Sequence, residues 1–515
     1  MDPLRGAATV LVAVLFLVAA VKAEALPLLR VGVAHLPMTL DPRFGTDAAS
    51  ERVQRLVHCR LVARDARFRP RPALAARWTH PASRIWRFQL RRGRYFHDGS
   101  EVTADDVAAT LRYILEPAHA SPLRMRLAAI RRIAVEDRYT LRIELSDPDA
   151  SLLSHLDVGI LPASLARRPA LAGEAMVGCG PARVRSWRDD RLDLETDRAV
   201  LRFVRVKDPV TRALKLARGE LDLIQNDLPP YLLPYLTRQA DVRLASRTST
   251  TFSYIGFNLR DPVLRDVRVR QALAMALDRA LLKRALFADL PRLAETVLAP
   301  MHWASVRLAP LPFAPRRAEQ LLDRAGYPRG KDGVRFRLTY RTSADPLRLR
   351  LAQALAAMWR RIGVRVTIES MEWGAFYTRI KQGDFQLYGL SWVGVHDPDI
   401  YRWILHSRMW PPAGANRGRY ANAEVDAWLD EALRSEDMTR RKALYARVIR
   451  AMRRDMVYIP LWFEPVVAVY RADRLGDYTP EADGGFGALL RLRPTAPQSR
   501  HRVGKSPQTH SVQDL

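Results

Sequence analysis

Residues 336–368 run FRLTYRTSADPLRLRLAQALAAMWRRIGVRVTI. Phe336, Leu338 and Tyr340 alternate with polar residues, the period of a half-buried strand. Leu351, Leu355, Met358 and Ile362 then recur at the spacing of one helix face. Val364, Val366 and Ile368 return to alternation. A strand, a long helix and a second strand in that order imply an α/β architecture.

The same rhythm extends outward. Upstream, Arg316 opens a helix that ends at Ala325-Gly326, with Pro328 beyond as a stop. Val269, Leu273, Leu277 and Leu281 are expected on one face of a single helix. Leu201–Val206 is strand-like, a helix follows near Pro209–Arg218, and Gly219 turns into Leu221–Ile224. Nearer the start, Arg30–Ala34, Ile85–Leu90 and Leu141–Leu145 are predicted strands. Thr103 and Asp106 form a capping-box variant ahead of a helix carrying Val107, Leu111 and Ile114. Downstream, Asp384–Ser391 is a predicted strand that delivers Trp392 to a loop.

The chain has 515 residues, enough for more than one compact unit. Its formal net charge is +28. The excess is almost all arginine and is spread along the whole chain, with no zinc-finger spacing and no RNP-like aromatic motif. Solvated arginine faces account for it, and no nucleic acid partner is expected. Attraction to anionic lipid or to an anionic ligand stays open. Arg5 precedes an apolar run from Ala7 to Val21, short for a membrane span and suited to a signal peptide over residues 1–23. An uncleaved membrane anchor is the alternative. Cys59 and Cys179 are the two cysteines; one disulfide and two isolated thiols are both open.

Catalytic motifs mostly fail. Gly389-Leu390-Ser391-Trp392-Val393 resembles a nucleophile elbow, but Val393 stands where the second glycine is needed. Gly178-Cys179-Gly180 starts like a dinucleotide loop, with Arg183 in place of the third glycine. His396 and His406 near Asp397 and Asp399 match no recognised metal spacing, so no metal is expected. What remains is aromatic and acidic: Trp373, Trp392, Asp397, Asp399 and Tyr401, the composition of a small-molecule cleft.

Ordered blocks along the chain carry a resemblance. They are Thr39-Leu40-Asp41-Pro42, Pro72-Ala73-Leu74-Ala75, Trp86–Gly93, Phe96-His97-Asp98-Gly99, Thr103–Val107, Gly178-Cys179-Gly180-Pro181, Gly219-Glu220-Leu221-Asp222, Phe257-Asn258-Leu259, Asp266–Leu273, Ala318–Tyr327, Ile362-Gly363-Val364, Glu372-Trp373 and Ile459-Pro460-Leu461. The set resembles the family 5 extracellular solute-binding proteins, the group of oligopeptide-, dipeptide- and nickel-binding components of ABC importers.

The resemblance implies a two-lobed, periplasmic-binding-protein-like (type II) α/β fold with an additional inserted subdomain. Residues 24–45, 165–258 and 470–495 would form a discontinuous lobe I. Residues 46–164 would be the inserted subdomain, 259–469 lobe II, and 496–515 a disordered basic tail. It further implies a monomer in the periplasm that grips a small-molecule ligand, peptides among the candidates, and docks on an ABC transporter permease, with no cofactor and no covalent chemistry. The rival readings are a hydrolase or a membrane-tethered signalling or chaperone module on the same fold. Trp373 and Trp392 would wall the ligand, and Asp397 or Asp399 would meet a cationic or hydroxyl group. Tyr254 and His35 would reach in from the other lobe, and Arg419 would meet a carboxylate. The family's peptide binders carry an aspartate three residues after the tryptophan matching Trp392, where it pairs with the ligand ammonium. Val395 stands there in this chain. The two alternatives are that Asp397 substitutes through a shifted loop, or that the ligand lacks a free amine.

Overall fold

The computed structural model describes residues 26–171 and 176–492; the signal segment and the basic tail expected from the sequence lie outside them. The strands in chain order are β1 (Leu28–Val33), β2 (Val62–Arg64), β3 (Pro70–Pro72), β4 (Ala75–Ala82), β5 (Ile85–Leu90), β6 (Ile130–Asp137), β7 (Thr140–Leu145), β8 (Arg183–Trp187) and β9 (Arg191–Glu195). They continue as β10 (Val200–Arg205), β11 (Leu223–Gln225), β12 (Val242–Phe257), β13 (Arg292–Leu293), β14 (Phe336–Ser343), β15 (Val364–Met371), β16 (Leu387–Trp392) and β17 (Tyr458–Arg471).

Eleven of these strands form one sheet, in the order β15-β14-β16-β12-β17-β11-β1-β10-β9-β8, with β13 beside β17. Two long strands hold it together. β12 and β17 pair antiparallel over nearly their whole length, from Val242 opposite Arg471 to Gly256 opposite Tyr458. Lobe I builds on one end of this pair: β11 runs antiparallel to β17 from Leu223 opposite Tyr470, and β1 and β10 run parallel to β11. Lobe II builds on the other end: β16 pairs antiparallel with β12, and β14 and β15 run parallel to β16. A separate antiparallel sheet, β4-β5-β7-β6, packs on the helix Ala104–Leu115.

The stretch at 336–368 folds as its periodicity requires. β14 leads into the helix Pro346–Arg361, whose first turn is capped by Asp345 accepting from the amides of Leu347 and Arg348. Gly363, at φ +81°, reverses the chain into β15. Upstream, Asp106 accepts from the amide of Thr103 at 2.7 Å, the reciprocal half of the capping box.

The expected single helix through Val269 and Leu281 is instead two helices, Val267–Met275 and Arg279–Phe287. Asp278 is the cause. Its side chain accepts from the amide of Leu281 and starts a new helix with its own direction, which leaves Leu281 largely exposed.

Cys59 and Cys179 form a disulfide spanning 120 positions of sequence. It ties the end of the helix Ala48–Val57 to the chain returning from the four-stranded unit. Gly178 and Gly180 lie against the backbone of Leu56 and Val57 at that helix end. A Cβ at Gly178 would overlap the carbonyl oxygen of Val57, so only glycine fits. Replacing both cysteines by serine removes the cross-link and is expected to lower the free energy of unfolding by about 2–5 kcal/mol, measured by urea denaturation.

Candidate functional site

The ladder between β12 and β17 breaks in its middle. Thr248 pairs with Pro465 and Phe252 with Phe463, so Ser249, Thr250 and Thr251 face Glu464 alone. Pro465 has no amide hydrogen to donate. Local groups satisfy the bulge: Ser249 Oγ donates to the Glu464 carbonyl at 2.6 Å, and the Thr250 carbonyl accepts from the amide of Val395.

Strand direction places this break at the centre of a cleft. β11 starts opposite Tyr470 and ends opposite Ala468, running toward the break. β16 starts opposite Phe257 and ends at Trp392 opposite Phe252, also running toward it. The parallel neighbours of each share its direction, so the carboxyl ends of β1, β10 and β11 face those of β14, β15 and β16. Ligands of open α/β sheets bind outside strand carboxyl ends.

The lobe II wall is aromatic. Trp373 begins the helix Trp373–Gln382 just after β15 and is 55% exposed. Its ring stacks on Tyr377, with centroids 5.6 Å apart. Trp392 ends β16, and Val393 beside it is 71% exposed. Behind Trp392 lies Tyr254, fully buried and stacked parallel to it at 6.1 Å. Burial raises the Tyr254 phenol well above its ordinary pKa, so it stays neutral. Tyr254 therefore belongs to lobe II, in the half of β12 that pairs with β16, and not to the opposite lobe.

The arginine on this wall is Arg417. Its guanidinium lies 4.6 Å from the centroid of the Trp392 ring and donates to the hydroxyls of Tyr254 at 3.1 Å and Tyr377 at 3.2 Å. Arg419, the arginine expected from the sequence, turns away at φ +61° and lies over Trp410.

The acidic residues of the Trp392 loop are engaged elsewhere. Asp397 accepts from Ser151 Oγ at 3.2 Å, across to the residues that follow β7. Burial opposes its charge most strongly, but the Arg441 guanidinium, His155 and hydrogen bonds from Ser154 and the Asp399 amide together hold the carboxyl below its usual range. Arg441 also donates to the Ala150 carbonyl and to Ser151 Oγ. Asp399 is buried; desolvation, then Asp397 and Asp149, push its pKa well above the usual carboxylate range. Tyr401 is fully buried in the lobe II core.

His35 follows β1 and lines a cavity of about 670 Å³ with Met38, Arg52, Trp187, Arg188, Asp189, Arg205 and Asp227. Met38 is 83% exposed. On the cleft floor, Glu464 Oε1 accepts from Ser253 Oγ at 2.7 Å, Ser391 Oγ at 2.9 Å and Arg348 at 2.8 Å. Ser391 sits inside the regular strand β16 rather than on a strand-to-helix turn. The sequence reading missed Arg417, Arg348 and Glu464. Arg417 had a signal, the apolar setting of Ala415 and Tyr420; Glu464 had the proline that follows it.

Among the described residues, no helix is long and apolar enough to cross a membrane, and no group of three His, Cys, Asp or Glu side chains could hold a metal. The family model for bacterial extracellular solute-binding proteins, family 5 Middle, matches residues 69–409. The chain is 27% identical to heme-binding protein A of Haemophilus influenzae over 480 residues, covering 83% of this chain and 85% of that protein. It is 25% identical to the periplasmic oligopeptide-binding protein OppA of Salmonella typhimurium over 474 residues, covering 82% and 85%. Its fold is similar to that of NikA from Brucella suis in complex with Fe(III)-EDTA, at TM-score 0.82 and 22% identity, covering 91% and 100%. HbpA2 from Haemophilus parasuis gives TM-score 0.78 at 24% identity, covering 89% and 98%.

The contact between the loop Arg64–Arg69 and lobe II carries a pH dependence. Phe68 stacks between His302 and His396, at 5.7 and 5.3 Å. The amide of Ala304 donates to His302 Nδ1, and Nε2 faces the His396 carbonyl at 3.2 Å. Protonating Nδ1 destroys an acceptor, and burial lowers the His302 pKa from 6.5 to about 4. A depressed histidine contributes stability that is present above pH 6.5 and is lost as pH falls toward 4. Urea denaturation at pH 7 and pH 5 is expected to show a loss of about 2 kcal/mol from this residue. The loss should shrink by that amount in His302→Gln.

Proposed function

The chain belongs to the bacterial extracellular solute-binding proteins of family 5, and we propose that it captures a small, peptide-like or chelate-like ligand outside the cytoplasmic membrane and delivers it to an ABC importer. Relatives named for heme, dipeptides, glutathione and oligopeptides bracket the ligand size. The observation that carries the reading is the convergence of two sets of strand carboxyl ends on the break in β12 and β17. A cleft with this floor closes when one lobe turns on the other, and the ligand is gripped from both sides.

Trp373, with Val393 and Trp392, forms the apolar wall of lobe II in this reading, and Met38, His35 and Trp187 face it from lobe I. Exposed large apolar side chains on two opposed walls are what a reversible grip on a partly apolar ligand requires. Asp397 ties lobe II to the Ser151 segment in this reading and does not touch ligand. The protein acts as a periplasmic monomer after its leader is removed, and its partner is a membrane permease. In the same proposal lobe I takes residues 24–45, 165–258 and 470–495, the inserted subdomain 46–164 and lobe II 259–469, except that the end of β12 from Phe252 onward, Tyr254 included, packs with lobe II.

Native mass spectrometry of protein purified from the periplasm without unfolding is expected to show a small molecule retained at one per chain. Trp373→Ala and Trp392→Ala should each weaken its retention by about tenfold or more, since each removes roughly 1.5–3 kcal/mol of apolar contact. A ligand-free wild type that binds none of the peptides, chelates and porphyrins named for its relatives would overturn the proposal.

A further inference from the structure

Resting on the reading above, we infer that the ligand is an anion, a small molecule with an apolar body and at least one carboxylate, received by Arg52, Arg188 and Arg205 on the lobe I wall. All three arginines line the cavity of about 670 Å³ beside Trp187 and Met38. None makes a side-chain hydrogen bond or ion pair among the described residues. Elsewhere this chain pairs its cleft-side arginines with acids: Arg55, Arg60 and Arg64 converge on Asp157, and Arg348 holds Glu464. Unpaired guanidiniums around one concavity present a fork geometry that matches a carboxylate.

The acids near the cleft point the same way, because almost all are engaged. Asp47 caps a helix by accepting from the amide of Ser50, and Asp227 accepts from the amide of Ala34. Asp345 and Glu372 cap the first turns of the helices that follow β14 and β15. Glu464 takes three donors on one oxygen. Asp397 faces Arg441 and Ser151, and Asp399 is buried with its pKa pushed up. Asp189 is the one acid lining the cavity without a hydrogen bond or ion pair among the described residues. One free carboxylate faces three free guanidiniums, and on the opposite wall Arg417, buried behind Trp392, also has no acidic partner among the described residues. A ligand carboxylate would meet three unpaired guanidinium donors here, whereas a ligand ammonium would find Asp189 alone free to accept, Asp47 and Asp227 keeping their charge but already holding backbone amides.

The test uses the full mature protein and a triple variant, Arg52→Gln, Arg188→Gln, Arg205→Gln. Four trialanine probes isolate the charges: N-acetyl-trialanine, trialanine amide, free trialanine, and N-acetyl-trialanine amide. Tryptophan fluorescence titration reads affinity, and native mass spectrometry reads the charge class of any co-purifying ligand. The anionic probe is expected to bind about tenfold or more tighter than the neutral one, with that preference abolished in the variant. The variant's urea midpoint should match wild type, since the three side chains make no ion pair. Tighter binding of the cationic probe, a preference that survives in the variant, or a co-purified ligand with no anionic group would overturn the inference and leave the transport reading standing. Failure of every probe with no co-purified ligand would overturn both.

Discussion

The antiparallel pairing of β12 with β17 is the constraint from which the rest of the molecule follows. These two strands belong to both halves of the sheet, so each lobe is anchored to the other through one continuous ladder. Because β11 joins one end of the pair and β16 the other, every parallel strand in either lobe must run toward the middle. The middle is also where the ladder fails, at Thr248–Phe252 opposite Phe463–Pro465. Fewer cross-strand bonds and an unpaired run of small hydroxyl residues make it the part of the sheet that bends at least cost. In the proposed mode of action the bending point and the ligand cleft coincide for that topological reason.

A second consequence concerns charge. A cleft floored by Glu464 and edged by several aspartates would be acidic if those groups were free. All but Asp189 are engaged by a helix cap, a serine, an amide or an arginine, and burial beside Asp397 disfavours the charged form of Asp399. The excess of arginine along the chain is thus a uniform background in which particular pairings decide the local sign. Net charge alone carried little information about the site; the unpaired arginines carried more.

Much of the architecture was legible in the sequence because it is written in local periodicity. β14, the helix after it and β15 follow directly from alternation and helical spacing in 336–368. The ordered blocks from Thr39 to Leu461 carried the family. What could not be read were features set by space. Asp278 divides a run of helically spaced apolar residues because its side chain finds the Leu281 amide, and the apolar pattern itself runs on across the break. Arg417 and Arg419 flank Gly418, and the turn there sends the first behind Trp392 and the second onto Trp410. Tyr254 looked like a residue of the other lobe because the length of β12, which crosses from one to the other, was invisible in its irregular Thr248–Thr251 stretch. The pairing of Cys59 with Cys179 likewise needed the fold to bring distant residues together.

The most direct test is a distance across the cleft. Spin labels at Arg185→Cys in lobe I and Thr378→Cys in lobe II, both exposed positions, can be measured by pulsed electron–electron resonance. The comparison is between protein as purified and protein stripped of bound small molecules by unfolding and refolding. Motion about the break in β12 and β17 predicts a shorter distance in the loaded protein and a longer, broader distribution in the stripped one, with a label pair inside either lobe unchanged. One narrow distance, identical in both preparations, would contradict the account.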